Sequence, residues 1–147
     1  MHADATTLSV LFQNKGFDAV DLAALLGAHS TSKASFVPEI PPGGAQDSTP
    51  GTWDVNYYQE TLTPPANVFP FPSDKNLAAD AKVGKEFKGF VGNKGKWNGK
   101  FADAMARMQL LGVPGGSSKL IDCTNVIPKG TNNKREMKMA PINDRIR

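Results

Sequence analysis

The sequence of 147 residues predicts a mostly α-helical protein. In several segments the apolar side chains recur at intervals of three and four residues, and these segments are bounded by residues that commonly begin or end helices. No segment shows the sustained alternation of apolar and polar residues that is typical of strands. A hydrophobic fraction of 39% and a mean hydropathy of -0.35 favour a soluble globular protein. No apolar run approaches the ~20 residues of a membrane helix, which argues against a membrane partner.

Two helices are expected near the N-terminus. Asp4 can cap a helix that runs to about Asn14, and Gly16 can end it. A second helix is expected from Asp18 to about Ser32. The apolar faces of these two helices are predicted to consist of Leu8, Leu11 and Phe12 in the first and Val20, Leu22, Leu25 and Leu26 in the second.

The middle of the sequence predicts a long loop, a turn and a short helix. Residues 31–46 are rich in proline and glycine, and sixteen residues without regular structure usually indicate function or disorder. Residues 47–51 have the composition of a tight turn. A short helix is expected from Asp54 to about Thr61, with Tyr57 and Tyr58 available for packing.

Two more helical stretches are expected towards the C-terminus. Residues 64–72 are irregular, and Ser73 can cap a stretch that is interrupted near Gly84 and resumes to Phe90. The last helix is expected from about Asn98 to Leu111. Its amphipathic stripe favours a core face over a cofactor site and consists of Phe101, Met105, Met108 and Leu111.

Charge is concentrated at the C-terminal end. Residues 129–147 contain six basic and two acidic residues, whereas the first 128 residues carry a net charge of about -1. We therefore expect a near-neutral body over residues 1–128 and a basic, disordered tail over 129–147, with no nucleic-acid partner. The N-terminus lacks the pattern of a signal peptide, so nothing in this chain is expected to direct export. Cys123 is the only cysteine, and its default interpretation is a small, buried apolar side chain.

His29 is the first candidate functional residue. Leu22, Leu25 and Leu26 precede it by seven, four and three positions, which places the imidazole on the buried stripe of its helix. A buried imidazole must form a hydrogen bond or bind a metal, because an unpaired buried polar group costs about 1–3 kcal/mol. On this pattern alone, a core histidine bonded to the backbone is the more common case.

The segment from Asp47 to Asp54 is the second candidate. It reads Asp-Ser-Thr-Pro-Gly-Thr-Trp-Asp, and with Ser30 it offers carboxylate, hydroxyl and carbonyl oxygens, the ligands that calcium prefers. The alternative is a simple turn, because turns commonly contain these residue types. An ion between Ser30 and the turn would hold both ends of the long loop.

Taken together, the segments resemble one family. Residues 21–30 look like the proximal-histidine helix of the class II fungal haem peroxidases, which include the lignin, manganese, versatile and generic types. Residues 47–54 are similar to the proximal calcium loop of that family, residues 73–80 to its segment with the aspartate that bonds the proximal histidine, and residues 113–128 to its closing segment. The resemblance covers residues 5–128 in family order. It implies that residues 1–128 are a half-domain, the C-terminal, haem-proximal half of the all-α peroxidase fold.

The resemblance implies two cofactors, haem b and calcium. His29 would be the axial ligand of the haem iron, and Asp74 would accept a hydrogen bond from its other ring nitrogen. The implied calcium ligands are Ser30, Asp47, Thr49, Thr52 through its carbonyl, and Asp54. The distal arginine and histidine of the family, in an Arg-x-x-Phe-His string, are absent from this chain, so no catalytic residue of that half is expected in it.

Four positions depart from the family pattern. Ala24 stands where the lignin and versatile types have a surface tryptophan, and Ser35 stands where manganese-oxidising members have an aspartate. Gln46 replaces a phenylalanine before the first loop aspartate, and Lys85 replaces the cysteine that would pair with Cys123. By resemblance, these departures disfavour a manganese or lignin peroxidase and leave a generic peroxidase of small aromatic reductants.

Two functional hypotheses follow. The first is a secreted, extracellular peroxidase polypeptide that uses hydrogen peroxide to oxidise small aromatic reductants when a distal half is present, as a fragment or beside another chain. The second is a non-catalytic haem-binding or helical interaction module. Half of a two-sided haem site would leave Leu22, Leu25 and Leu26 partly open to water, which predicts self-association.

Overall fold

Helices make up most of residues 2–128, the part of the chain that the computed structural model describes. The predicted mostly α-helical class is confirmed. In this part the α-helices are α1 (Ala5–Gln13), α2 (Ala19–Leu26), α3 (Asn56–Leu62), α4 (Pro72–Ala79), α5 (Val83–Lys88) and α6 (Lys94–Gln109). Short 3₁₀ helices span Gly27–Thr31, Gly116–Lys119 and Thr124–Val126. The predicted basic tail, residues 129–147, lies outside the described residues.

The first two helices begin at the predicted caps. The Asp4 carboxylate accepts a hydrogen bond from the Thr7 backbone N–H at 2.9 Å. Asp18 and Asp21 form a reciprocal capping box at the start of α2. The prediction that Leu11 belongs to the apolar face is wrong, because this residue is 48% exposed. Leu8 and Phe12, one helical turn apart, pack against the core, and Leu11 does not share their face.

After α2 the chain tightens into the 3₁₀ turn Gly27–Thr31, which carries His29. His29 therefore does not lie on the α-helix where we expected it. Close packing at Gly27 accompanies this change, since a Cβ atom there would lie 2.3 Å from the Trp97 ring nitrogen and 2.5 Å from the Tyr58 hydroxyl. Glycine is required at this position by the available space.

The expected structureless loop contains regular structure, so that prediction is wrong in part. Strands β1 (Lys33–Ala34) and β2 (Gly44–Ala45) pair antiparallel, with Lys33 opposite Ala45 and Ala34 opposite Gly44. Between them the chain buries its apolar side chains against Phe71. The resulting small cluster consists of Ala34, Val37, Ile40 and Phe71. The long loop is thus anchored by its own core.

Two predicted boundaries around α4 and α5 are wrong. Ser73 is not the cap of α4; Phe71 holds that position and Pro72 is the first helical residue, where the fixed φ of proline favours a helix start. The interruption lies at residues 80–82, where Asp80 accepts hydrogen bonds from two following backbone N–H groups. Gly84 lies inside α5. The close approach of the Ala78 carbonyl oxygen requires a glycine there, since a Cβ atom would lie 2.4 Å from it.

The last long helix, α6, begins at Lys94, four residues before the predicted start. The Asn93 side chain accepts a hydrogen bond from the Lys96 backbone N–H at 3.1 Å, which is an N-cap arrangement that the prediction missed. The helix ends before Gly112, whose φ is +75°. The chain divides into two compact units at residues 104 and 105, within this helix.

In the second unit, Leu111 is 46% exposed and the Cys123 thiol is exposed and free. The expected burial of both residues is therefore wrong. In this unit the described residues after the helix form short 3₁₀ turns and extended segments, in which apolar side chains such as Ile121 and Val126 are also exposed.

An aromatic core holds the first unit together. Its largest fully buried side chains are Trp97, Tyr57, Tyr58, Phe87 and Phe90. Leu22 and Leu26 are 2% and 9% exposed in this core, so the prediction that they form an open inner face is wrong; only Leu25 is half-buried. Among residues 2–128, no helix has both the length and the apolar character needed to cross a membrane.

Candidate functional site

The imidazole of His29 is held between two aromatic rings. Phe71 contacts it edge-on with ring centroids 5.1 Å apart, and Tyr57 does so at 5.9 Å. The side chain of His29 is 35% exposed, so part of it is open to solvent. This corrects the expectation of a buried ring.

The Nδ1 atom of His29 lies 2.7 Å from Oδ2 of Asp74. Asp74 is 1% exposed and lies in the first turn of α4, where its negative charge is also favourable. Because a carboxylate accepts hydrogen bonds, this contact places the proton of the neutral imidazole on Nδ1. The Nε2 lone pair is then free to bind a metal.

Two further hydroxyl groups surround the Asp74 carboxylate. Tyr57 donates a hydrogen bond to Oδ2 at 2.8 Å, the same oxygen that faces His29. Ser73 donates to Oδ1 at 3.3 Å. These contacts satisfy the buried carboxylate and fix its orientation towards the imidazole.

The loop from Asp47 to Asp54 is folded around its own carboxylates. The Thr49 backbone N–H donates to Asp47 at 2.9 Å, and its hydroxyl donates to Asp54 at 2.8 Å. Glu60 of α3 accepts two hydrogen bonds from Ser48, both at 2.6 Å, which fixes the loop to that helix. Three of the predicted calcium ligands are therefore close together.

Three buried side-chain oxygen atoms have no hydrogen-bond partner within residues 2–128: the Ser30 hydroxyl, Oδ2 of Asp47 and the Thr61 hydroxyl of α3. Ser30 and Asp47, two of the predicted ligands, are both 0% exposed. The chain segments that carry them are joined by the backbone N–H of Gln46, which donates to the carbonyl of Ser32 at 3.4 Å. Buried polar atoms without partners are unusual and suit a site for a cation.

The charge of the loop also favours a cation. Burial raises the pKa of the Asp47 carboxyl from 3.8 to about 6, and the negative charges of Asp54 and Glu60 add to this effect. An ionised Asp47 therefore lacks a compensating positive charge. A bound calcium ion would supply that charge and use the unpaired oxygens.

The candidate site has only two carboxylates among the predicted ligands. Residues 2–128 contain no group of three or more histidine, cysteine, aspartate or glutamate side chains that could hold a metal. Thr52 is exposed, and its backbone N–H donates to the Thr49 carbonyl at 2.8 Å. A calcium site here would therefore depend on hydroxyl and carbonyl oxygens beside the two carboxylates.

The four positions at which the sequence departs from the resembled pattern occupy different environments. Ala24 is fully buried, and its carbonyl accepts a hydrogen bond from the Trp97 indole at 3.0 Å. Gln46 is also buried, and its side chain accepts from the Ser32 hydroxyl and donates to the carbonyl of Gly44. Ser35 and Lys85 are both exposed.

Sequence reasoning missed several residues that form the site. Tyr57 was assigned only a packing role, although it donates to Asp74 from 17 positions away. Phe71, which contacts the imidazole, and Glu60, which holds Ser48, were not identified. The pair of adjacent tyrosines on a predicted helix was the one available signal, because a buried tyrosine hydroxyl requires a hydrogen-bond partner.

Comparison with known proteins places these residues in context. A family profile described as Peroxidase matches residues 1–93. The chain is 30% identical over 142 residues to a versatile peroxidase of Pleurotus eryngii, an alignment that covers 85% of this chain and 38% of that protein. It is 30% identical over 129 residues to a manganese peroxidase of Phlebia radiata, covering 76% and 35% respectively.

A third relative is a low-redox-potential peroxidase of Taiwanofungus camphoratus, with 30% identity over 130 residues, 77% of this chain and 38% of that protein. The chain thus spans between a third and two fifths of the length of these relatives.

Proposed function

The chain belongs to the peroxidase family, and from this membership we propose that it provides the haem-proximal half of an extracellular fungal peroxidase. The observation that carries the proposal is the contact between His29 and Asp74 at 2.7 Å. In a member of this family, a histidine whose second nitrogen faces a buried carboxylate suits the axial ligand of haem iron. The proposed reaction is the oxidation of small aromatic reductants by hydrogen peroxide.

The chain's own residues have defined tasks in this proposal. Bound haem would supply the redox chemistry with peroxide. His29 would hold the iron through Nε2, and Phe71 and Tyr57 would fix the plane of its ring. Asp74 would draw the Nδ1 proton towards itself, which gives the imidazole partial negative charge and makes it a stronger electron donor.

Calcium would keep this arrangement in place. Ser30 follows His29 directly, and Asp47 begins the loop, so an ion bound to both would hold the His29 turn against the loop. The proposed ligands are Ser30, Asp47, Thr49, Thr52 and Asp54. The unpaired Ser30 and Asp47 oxygens support this assignment.

Peroxide cleavage also needs an acid–base group and a positive charge on the opposite face of the haem. The only other histidine of the sequence is His2, which is exposed and pairs with Glu39. These groups would come from residues outside this sequence or from another chain. When both halves are present, the proposed substrates are hydrogen peroxide and small aromatic electron donors.

A haem titration of His29→Ala tests the proposal. The wild-type chain should develop a Soret band with a stoichiometry of one haem, and His29→Ala should lose it. His2→Ala is the matched control, because His2 is the only other histidine and is exposed. A band that survives unchanged in His29→Ala would contradict the assignment.

Turnover with peroxide and a dye then separates the two functional hypotheses. Haem binding with dye oxidation supports the peroxidase. Haem binding without dye oxidation, in the presence of a distal half, would favour the non-catalytic haem-binding module.

A further inference from the structure

Gln46 is a fully buried glutamine whose side chain connects separate segments of the first unit. The residue is 0% exposed. Its amide N–H groups donate to the carbonyl of Gly44 at 3.0 Å and to that of Phe69 at 3.4 Å. Its Oε1 atom accepts a hydrogen bond from the Ser32 hydroxyl. These bonds form a link, the Gln46 link, that joins Ser32 to Phe69 across β2.

The orientation of this amide group is fixed by its partners. Gly44 and Phe69 both present carbonyl oxygens, which accept hydrogen bonds and cannot donate them, so the amide nitrogen must face them. The amide oxygen then faces the Ser32 hydroxyl, which is a donor. A buried amide held in this way makes its surroundings rigid, because rotation would leave buried polar atoms unpaired.

One end of the Gln46 link lies at His29. The Ser32 hydroxyl is 3.0 Å from the His29 carbonyl oxygen, so its proton is shared between that carbonyl and the Gln46 amide oxygen. The Ser32 backbone N–H donates to the same carbonyl at 3.2 Å. Because Ser32 directly follows the 3₁₀ turn Gly27–Thr31, the position of Gln46 acts on the backbone of the residue that carries the imidazole.

The other end lies just before α4. The Phe69 backbone N–H donates at 2.9 Å to the carbonyl of the residue before Gln46, which adds a second bond between this segment and β2. Phe71, two residues further on, contacts the imidazole of His29 edge-on, and Asp74 in α4 accepts the hydrogen bond of its Nδ1 atom. The Gln46 link therefore connects the segments that carry both partners of this contact.

We propose that Gln46 is a positioning residue, which keeps the His29 imidazole and the Asp74 carboxylate at hydrogen-bonding distance for haem binding. This inference rests on the proposed function, because the haem iron is the group that the positioned Nε2 atom of His29 would bind. The resembled pattern has a phenylalanine at this position, and a phenyl ring has no donor or acceptor for the bonds of the Gln46 link. The link is thus specific to the residue that this chain carries.

The Gln46 link acts on a different point of the turn from the proposed calcium ion. The ion would bind Ser30, one residue after His29, whereas the link acts at Ser32, three residues after it. The Gln46 amide is not among the proposed ion ligands. Saturation with calcium therefore does not replace the amide, and the effect of Gln46 is measured with calcium present.

The test compares two variants that break the Gln46 link with one that leaves it intact. Gln46→Met keeps the length of the side chain and removes the amide. Ser32→Ala removes the shared hydroxyl and leaves the two bonds from Gln46 to carbonyls in place. Thr31→Ala is the matched control, because its hydroxyl bonds the Ala28 carbonyl at 3.2 Å within the same turn. All variants are made in the full chain with saturating calcium, and their helicity is checked by circular dichroism.

The first measurement needs no haem. The Nδ1–H proton of His29 should give a resolved NMR signal, because a hydrogen bond to the buried Asp74 carboxylate slows its exchange with water. The absence of this signal in His29→Ala assigns it. We expect exchange to be about tenfold faster in Gln46→Met and in Ser32→Ala, because the turn opens more often without the link. Thr31→Ala should exchange at the wild-type rate.

The second measurement uses the haem-loaded protein. The affinity for haem should fall about tenfold in Gln46→Met and in Ser32→Ala, as expected when the group that orients a metal ligand is lost. The vibration of the bond between iron and His29, measured by resonance Raman spectroscopy of the ferrous protein, should shift to lower frequency. The reason is that a loosened Nδ1 hydrogen bond makes the imidazole a weaker donor. A general loss of stability would not move this vibration.

The outcomes separate this inference from the proposed function. A Soret band in the wild-type chain, together with an unchanged exchange rate or an unchanged vibration in both link variants, would overturn the role of Gln46 and leave the haem assignment intact. An equal change in Thr31→Ala would overturn it as well. Absence of the Soret band in the wild-type chain would overturn both. If Gln46→Met unfolds, Ser32→Ala decides the question, because it leaves the Gln46 amide bonded to both carbonyls.

Discussion

The Nδ1 atom of His29 and the Oδ2 atom of Asp74 lie 2.7 Å apart, although 45 positions separate the two residues in the sequence. The same carboxylate oxygen also accepts the phenolic hydrogen bond of Tyr57. The negative charge of Asp74 is therefore shared between an imidazole and a phenol. In a haem-bound protein, this sharing would set the electron-donating strength of His29.

Replacing Asp74 with asparagine should weaken the site without changing its shape. The neutral amide no longer draws the Nδ1 proton, so we expect the affinity for haem to fall about 10- to 100-fold. The iron of the bound haem should also be reduced more easily, because His29 donates less electron density. A haem titration and a spectroscopic redox titration measure the two effects.

Ser73→Ala is the control for that experiment. Its hydroxyl bonds the other Asp74 oxygen at 3.3 Å, and its loss leaves the charge in place. We expect the affinity and the potential of this variant to stay close to those of the wild type. Equal potentials in Asp74→Asn and the wild type would show that the carboxylate does not act on the iron.

The parts of the site that could be predicted are those with local signals. The caps of α1 and α2 are visible as Asp4 and Asp18, and both helices begin there. The hydrogen bond between His29 and Asp74 was implied only by the resemblance, and the structure places the two atoms 2.7 Å apart. No local pattern encodes this contact, because it depends on the packing of α4 against the rest of the core.

The wrong predictions concern residues whose role depends on the backbone or on contacts with other helices. Ser73 has the side chain of a good cap, but Pro72 before it has a backbone conformation already suited to the first helical turn. Gly84 looks like a helix breaker, yet it is needed where α5 approaches the Ala78 carbonyl. The role of Tyr57 depends on a partner in another helix. Tertiary contacts therefore decided what local propensity did not.

Calcium should stabilise the protein, and Asp47→Asn should remove most of that effect. An ion at 100 times its dissociation constant stabilises the folded state by about 2.7 kcal/mol, which raises the unfolding temperature. Without calcium the variant should be at least as stable as the wild type, because it removes a buried negative charge near Asp54 and Glu60. Thermal unfolding with calcium and with a chelator measures both.

Glu39→Gln provides the comparison for Asp47→Asn. This carboxylate is 50% exposed, pairs with His2 and is not among the proposed ligands, so its loss should leave the calcium response intact. A wild-type protein whose unfolding temperature is the same with calcium and with chelator would contradict the proposed ion site.

The two tyrosines should resist ionisation until the protein unfolds in alkali. Burial raises the pKa of Tyr57 and of Tyr58 well above their usual value near 10. Because the folded pKa is the higher one, the stabilisation is fully present below pH 10 and is lost as the pH rises above it. These are the only tyrosines in the sequence, so phenolate absorbance reports on them alone.

We expect phenolate absorbance to appear in one step together with the loss of helical circular dichroism. The same chain in concentrated urea should titrate smoothly near pH 10. A smooth titration near pH 10 in the folded protein, with helicity retained, would contradict the burial of these phenols.

Gly27→Ala should destabilise the fold because there is no space for a methyl group. The added Cβ would lie 2.3 Å from the Trp97 ring nitrogen and 2.5 Å from the Tyr58 hydroxyl, so both rings must move. Overpacking of this kind costs about 1–3 kcal/mol, measured as the free energy of unfolding in urea. Gly99→Ala is the matched control, since nothing lies within 4 Å of its Cβ position in α6. That change should stabilise the helix by about 0.5–1 kcal/mol. Equal effects of the two substitutions would mean that the rings beside Gly27 adjust freely, and His29, two residues further along, would then not be held by this contact.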